Sequence, residues 1–199
     1  SSSAFGEGVN LPSIRNVVLY HLPYGATEFN QMSGRAGRDG RDAYIYLLYG
    51  KRDAFINKAV LESQAPRRDD LKPLYLALKD VDRASGSQPF TIRDEDLLVK
   101  AKALYKDAHL TEASVASGIA VFEELHFCEV SGYGDERSLH MTPSPSHMNL
   151  ADSPRYAEGL CAIEEFAQFK DWALVTLPQE MLSRINKPIA PSFGRIVDR

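Results

Sequence analysis

The spacing of apolar positions along the chain changes character several times, and each change predicts a different element. NVVLYHLP, Asn16 to Pro23, is apolar without alternation, the pattern of a strand buried on both faces, and Pro23 ends it. Thr27 can cap a helix starting near Glu28, an acid suited to the positive end, with Phe29 and Met32 turned inward until Gly37 weakens the helix. AYIYLLYG, Ala43 to Gly50, predicts the next strand. Two such strands around one helix read as a βαβ-like piece of a parallel sheet. Open parallel sheets usually have about five or six strands, so this α/β part reads as a lobe cut inside a domain.

After Arg52 helical periodicity takes over. DAFINKAVLES is followed, past Pro66, by a candidate helix from Asp69 to Arg83 with Leu71, Leu74, Tyr75, Leu78 and Val81 on one stripe. ASGSQ, Ala84 to Gln88, reads as a break. Arg93 to Tyr105 predicts a helix with Leu97, Leu98, Ala101 and Leu104 inward. Thr111 opens the next as an N-cap, Gly118 is expected to interrupt it, and Ile119 to Phe127 to continue as a second helix. CEVSGYGDERSLHMT then reads as a hairpin with strands at Cys128 to Ser131 and Ser138 to Thr142. Helical segments followed by a hairpin suggest a winged helix-turn-helix.

TPSPSH, Thr142 to His147, reads as a linker. Beyond it Arg155 to Phe169 is amphipathic, with Leu160, Ile163, Glu164, Phe166 and Ala167 turning at helical spacing and Trp172 closing a small core. A short helix near Gln179 to Ile185 follows Pro178, and KPIAPSFGRIVDR reads as irregular. The expected division is residues 1–66 for the partial α/β lobe, 67–88 for a connecting helix, 89–145 for the winged-helix domain and 146–199 for a helical tail.

Composition narrows the function classes. With 44% hydrophobic and 25% charged residues the chain is globular, and its net charge of -4 gives no whole-chain attraction to nucleic acid. Leu110 to Thr142 holds one basic residue, Arg137, against six acids, with Asp107 just upstream. Affinity for a duplex comes mainly from neutralised phosphates, so a protein-contact or scaffold role is favoured there over DNA engagement. Two cysteines, Cys128 and Cys161, supply neither a disulfide framework nor a four-cysteine zinc site, and the five histidines show no ligand spacing, so no metal site is expected. No apolar run reaches the roughly 18 residues of a membrane span, and a cytoplasmic protein without a membrane partner is expected.

The candidate chemistry lies between the two apolar strands, in QMSGRAGRDG, Gln31 to Gly40. If Glu28 to Gly37 is helical, Gln31, Arg35 and Arg38 leave one face. Guanidinium forks suit phosphate oxygens and stabilise charge that develops during phosphoryl transfer. Gly34 and Gly37 would let a nucleotide or another backbone approach. On helix geometry alone the same face could equally be a solvated basic helix end.

AFGEGVNLPSIRNVVLYHLP followed by EFNQMSGRAGRDG resembles the fifth and sixth motifs of superfamily 2 helicases, most closely the RecQ-like DNA helicases, from Ala4 to about Asp42. The resemblance implies part of the second of two RecA-like lobes that clamp ATP. It makes Gln31, Arg35 and Arg38 the sixth-motif groups, with Arg38 as arginine finger and Arg35 on phosphate or tying the lobes together. It places Gly6, Gly8 and Asn10 of the fifth motif, with Gly34, on the nucleotide side. No G-x-x-x-x-G-K-[ST] loop and no DExH-type box occurs, so ATP and magnesium are expected in the full-length protein and neither bound to these residues alone.

SPRYAEGLCAIEEFAQFKDWAL, from Ser153, is similar to the C-terminal part of actinobacterial-type proteins in which a RecQ-like helicase is linked with the single-strand exonuclease RecJ; no DHH motif is present to place a nuclease here. The expected function is therefore the C-terminal fragment of an ATP-dependent DNA helicase or translocase of repair or recombination. Its expected partners are DNA, through the complete protein, and a first RecA-like lobe outside these residues. The truncated lobe is expected to self-associate. The rivals are a scaffolding or regulatory winged-helix module and the helicase-like part of a RecJ-type exonuclease.

Overall fold

A computed structural model describes residues 13–143, 149–184, 191–192 and 195–196. The fold divides into two compact units, one of residues 1–58 with 161–199 and one of residues 59–160.

In the first unit, strand β1 (Asn16–Leu19) pairs in parallel with β2 (Tyr44–Leu47), and helix α1 (Ala26–Ser33) connects them, so the expected βαβ order is present. The register, Asn16 opposite Tyr44 through Leu19 opposite Leu47, sets the two faces. Val17, Leu19, Ile45 and Leu47 share the inner face. Burial on both faces was expected and does not occur: Val18, Tyr44 and Tyr46 are 52%, 63% and 47% exposed, because the described residues pack against one face only. Helix α2 (Lys51–Gln64) follows, and its buried Asn57 donates from Nδ2 to the Leu22 carbonyl at 2.5 Å, fixing the chain just past β1.

The first unit also contains much of helix α6 (Pro154–Val175), which extends past the expected end at Phe169. Its buried stripe is Phe166, Phe169 and Ala173, while Leu160, expected inward, is 46% exposed. Helix α7 (Pro178–Arg184) and a short antiparallel pair, β6 (Pro191–Ser192) with β7 (Arg195–Ile196), complete it, so the stretch expected to be irregular includes paired backbone.

The second unit is built on α3 (Arg68–Ala84), α4 (Asp94–Leu104) and α5 (Glu112–Glu124). Leu71, Leu74 and Leu78 of α3 are buried as the stripe predicts, and Tyr75 meets Phe122 and Phe127 edge to face at 5.6 Å each. In α4, Leu97 and Ala101 are buried, whereas Leu104, expected inward, is 45% exposed at the helix end. Thr111 caps α5 as expected, its Oγ1 accepting from the Ser114 amide at 3.2 Å. Gly118 does not interrupt α5. A Cβ there would lie 2.5 Å from Leu74 Cδ2 and 3.0 Å from Leu71 Cδ2, so the glycine lets α5 pass against α3 without a break.

After α5 the chain forms β4 (Cys128–Ser131) and β5 (Ser138–Met141), the expected hairpin, and β3 (Phe90–Thr91) adds an edge that the sequence pattern did not predict. The sheet order is β3-β5-β4, all antiparallel. The expected segment 67–88 thus lies within this unit, and the expected tail 146–199 is shared between the two units. Residues 144–147 of the expected linker lie outside the described residues.

Candidate functional site

Helix α1 begins where the backbone at Gly25 is extended and Glu28 reaches back, its Oε2 accepting from the Tyr24 amide at 2.7 Å. This is one half of a capping box, the acid reaching back from the third helical position, with no side-chain bond from the N-cap glycine in return. Thr27, expected as the cap, is instead the second helical residue. The helix stops at Ser33 rather than at Gly37: the Ser33 hydroxyl donates to the Phe29 carbonyl at 2.5 Å and the Gly34 amide closes on Asn30 at 2.9 Å. A turn follows, with the Ala36 amide on the Ser33 carbonyl at 3.1 Å and the Gly40 amide on the Gly37 carbonyl at 2.9 Å.

That turn needs glycine at position 37. Its φ is +62°, and a Cβ would fall 2.7 Å from the Arg41 carbonyl oxygen. The Gly37 amide donates to the Ile14 carbonyl at 3.0 Å, while the Tyr44 amide donates to the Arg15 carbonyl at 2.7 Å. Between them the Arg15 guanidinium forks onto Asp39, Nη1 donating to Oδ1 at 2.9 Å and Nη2 to Oδ2. Asp39 Oδ1 also accepts from the Arg41 amide at 3.2 Å. The hydrogen bond from Arg15 holds the Asp39 carboxyl below its usual range, and the same bond raises the arginine. The residues just before β1 therefore anchor the arginine-bearing turn at two points, Gly37 and Asp39, and hold the start of β2 at Tyr44.

Gln31, Arg35 and Arg38 do not leave one helical face, because only Gln31 is on α1. Gln31 is exposed, Arg35 half-buried on the turn, and Arg38 exposed with its Nε donating to the Gly34 carbonyl at 3.3 Å. Gly34 is buried at the end of α1. Asp39 answers the Arg15 guanidinium and the Arg41 amide, and the same turn carries the guanidinium groups of Arg35, Arg38 and Arg41. Such planar donors fit phosphate oxygens. Gly6, Gly8 and Asn10 lie outside the described residues.

Sequence reasoning missed Arg15 and Asp39. The available signal was the acid inside GRDG, standing after an arginine just before the first strand. Among the described residues, no group of three or more His, Cys, Asp or Glu could hold a metal ion. Cys128 is buried, which pushes its thiol up to about 12, and it is inert as a nucleophile. No described helix is long and apolar enough to cross a membrane.

Residues 1–40 match the family model described as "Helicase conserved C-terminal domain". The chain is similar to the probable ATP-dependent DNA helicase RecS of Bacillus subtilis, 33% identical over 78 residues, covering 39% of this chain and 16% of that protein. It is similar to the RecQ-like DNA helicase blm-1 of Caenorhabditis elegans, 39% identical over 59 residues, 30% of this chain and 6% of the relative. It is similar also to the ATP-dependent DNA helicase RecQ of Bacillus subtilis, 32% identical over 77 residues, 37% of this chain and 13% of the relative. The chain thus spans less than a fifth of the length of these relatives. No solved structure matches it.

Proposed function

Because the first part of this chain is a C-terminal helicase segment of the RecQ-like superfamily 2 type, we propose that it supplies the arginine-bearing half of an ATP site. The site belongs to an ATP-dependent DNA helicase or translocase of repair or recombination, working in the cytoplasm. A first RecA-like lobe outside these residues faces the turn and holds the remaining ATP contacts. The observation that carries this reading is the GRAGRDG turn, tied to the start of β1 through Gly37 with Ile14 and Asp39 with Arg15. Such ties hold cationic donors in place before a substrate arrives, which is what electrostatic stabilisation of a phosphoryl group requires.

In this arrangement Arg38 acts as the arginine finger, Arg35 binds phosphate or an acid of the facing lobe, and Gln31 orients the nucleotide or the attacking water. Gly6, Gly8 and Asn10 join them from the fifth motif, and the buried Gly34 keeps the end of α1 close beneath. Magnesium, which would neutralise phosphate charge, has no carboxylate cluster to hold it among the described residues. Its protein ligands belong to the facing lobe.

The second unit is read as a winged helix. The support is α3, α4 and α5 followed by a sheet ordered β3-β5-β4, with the β4–β5 hairpin as the wing. Its role is protein contact rather than duplex binding. The exposed positions Glu112, Glu123, Glu129 and Glu136 on α5 and the hairpin are acidic, and they repel phosphate.

The test is Arg38→Ala in the complete protein. ATP turnover should fall about a thousandfold or more while nucleotide binding survives. Unchanged turnover would remove Arg38 from the site.

A further inference from the structure

Helix α1 is eight residues long, and isolated helices below about 12 residues are marginal in water. Its position must therefore come from what it packs against. On the inner side that partner is α6. Phe29 lies 5.8 Å from Phe169 and 6.4 Å from Trp172 between ring centroids, and Phe169 and Trp172 lie 5.9 Å from each other. Tyr24, just before the helix, lies 6.1 Å from Phe166.

Phe166 and Phe169 are buried, and with Trp172 they recur every three residues, which places them on one stripe of α6. The seat extends to the first residue of the cap, since a Cβ on Gly25 would meet Glu165 Cδ at 3.4 Å. Both the start and the middle of α1 thus rest on α6. The helix then runs without a linker into Gly34 and the turn bearing Arg35 and Arg38.

We infer that the stripe Phe166, Phe169 and Trp172 of α6 is a positioning element for the segment Gln31 to Arg38. It sets where the amide and guanidinium groups stand relative to a nucleotide phosphate. This inference rests on the reading of that segment as half of an ATP site. The three aromatic residues touch no nucleotide; they act through Phe29 and Tyr24. Small misplacements of reacting groups cost far more in rate than in binding, so the signature of positioning differs from that of simple core filling. Core filling changes how many molecules are folded. Positioning changes the turnover of those that are.

The test uses Trp172→Ala, Trp172→Phe and Phe166→Leu in the complete protein, with ATP turnover divided by the folded fraction from circular dichroism. For Trp172→Ala, kcat per folded molecule should fall about ten- to a hundredfold with KM for ATP within about twofold, and Trp172→Phe should recover most of the loss. Should Trp172→Ala not fold, Phe166→Leu keeps an apolar side chain in place and should show the same split to a smaller extent. Unchanged kcat per folded molecule in these variants, with Arg38→Ala inactive, would overturn the positioning role and leave the ATP-site reading intact. Full activity of Arg38→Ala would instead overturn that reading, and the inference with it.

Discussion

Arg15 and Asp39 form a two-pronged ion pair that closes the arginine-bearing turn onto the start of β1. The pair is at the surface, where ion pairs add little to stability, so its value lies in geometry. The turn is also held by the Gly37 amide on Ile14, and the start of β2 by the Tyr44 amide on Arg15. Loss of the ion pair therefore loosens the turn without releasing it.

The expected outcome for Asp39→Ala in the complete protein is a roughly tenfold fall in ATP turnover, below the loss that complete misplacement brings, with an unchanged unfolding midpoint. The exchanged pair Arg15→Asp with Asp39→Arg should restore part of the activity. Steady-state ATPase assays check both, and a double exchange no better than the single variants would argue against the pairing as the cause.

Much of this could be read from sequence where one local signal governs the outcome. The α3 stripe, the Thr111 cap and the hairpin at Cys128–Ser131 and Ser138–Met141 follow from periodicity and side-chain chemistry within a few residues. Gly118 was misread because a glycine in a helical run signals a break or a close approach alike, and only the position of Leu74 decides between them. The end of α1 at Ser33 follows from the Ser33 hydroxyl and from the turn that Ile14 and Arg15 hold, partners from a distant part of the chain. The same holds for Phe29 against Phe169 and Trp172. Aromatic residues far apart in sequence carry no periodic trace of their pairing.

Glu124 gives the second unit an acid-sensitive joint. It stands at the end of α5 and accepts from the Ser153 hydroxyl at 2.6 Å and the Arg155 amide at 3.2 Å, while Ser153 itself caps α6 by accepting from the Tyr156 amide at 3.1 Å. Burial pushes the Glu124 carboxyl up, but the hydrogen bonds and the charge of Arg155 outweigh it, and the group sits below the usual carboxylate range. A carboxyl lowered by folding stabilises the folded state above its unfolded pKa, near 4.5, and that contribution is lost as pH falls through the lower folded value. Glu124→Gln should therefore flatten the loss of stability below that pH, which denaturant titrations at stepped acid pH would measure. An identical slope in both proteins would show that the bonds at Glu124 carry no linkage.

The outer sheet face should drive self-association of these 199 residues. Val18, Tyr20, Tyr44 and Tyr46 are 52%, 80%, 63% and 47% exposed on or beside a two-stranded parallel sheet, and Tyr44 and Tyr46 lie 6.4 Å apart between ring centroids. An apolar face of this kind, on a sheet of two strands among the described residues, invites a second copy. Light scattering at about 100 μM should report a dimer or larger species, and Tyr46→Lys should return it towards the monomer, since a charge at the centre of an apolar contact is costly to bury. A monomeric parent protein would refute this.

Arg137 decides how the hairpin relates to DNA. It is the one basic residue of the acidic stretch Leu110 to Thr142, and on charge alone it would be the natural phosphate contact. Its side chain is instead 13% exposed, and its guanidinium is paired through Nη2 with Asp94, in the first turn of α4, so it locks the hairpin to the helix. Removing one partner of a largely buried pair leaves the other charge without its answer, so Arg137→Ala should destabilise the unit by roughly 1 to 3 kcal/mol. DNA affinity should be unaffected, because the group was never available to phosphate. With Glu112, Glu123, Glu129 and Glu136 exposed on α5 and the hairpin and Arg137 already paired, duplex binding by these residues should be no tighter than about 10⁻⁵ M near physiological salt. Fluorescence anisotropy with a labelled duplex and thermal melts of both proteins separate the two effects. A variant that keeps its melting temperature but loses a salt-sensitive DNA complex would transfer Arg137 from the packing of the hairpin to a nucleic-acid surface.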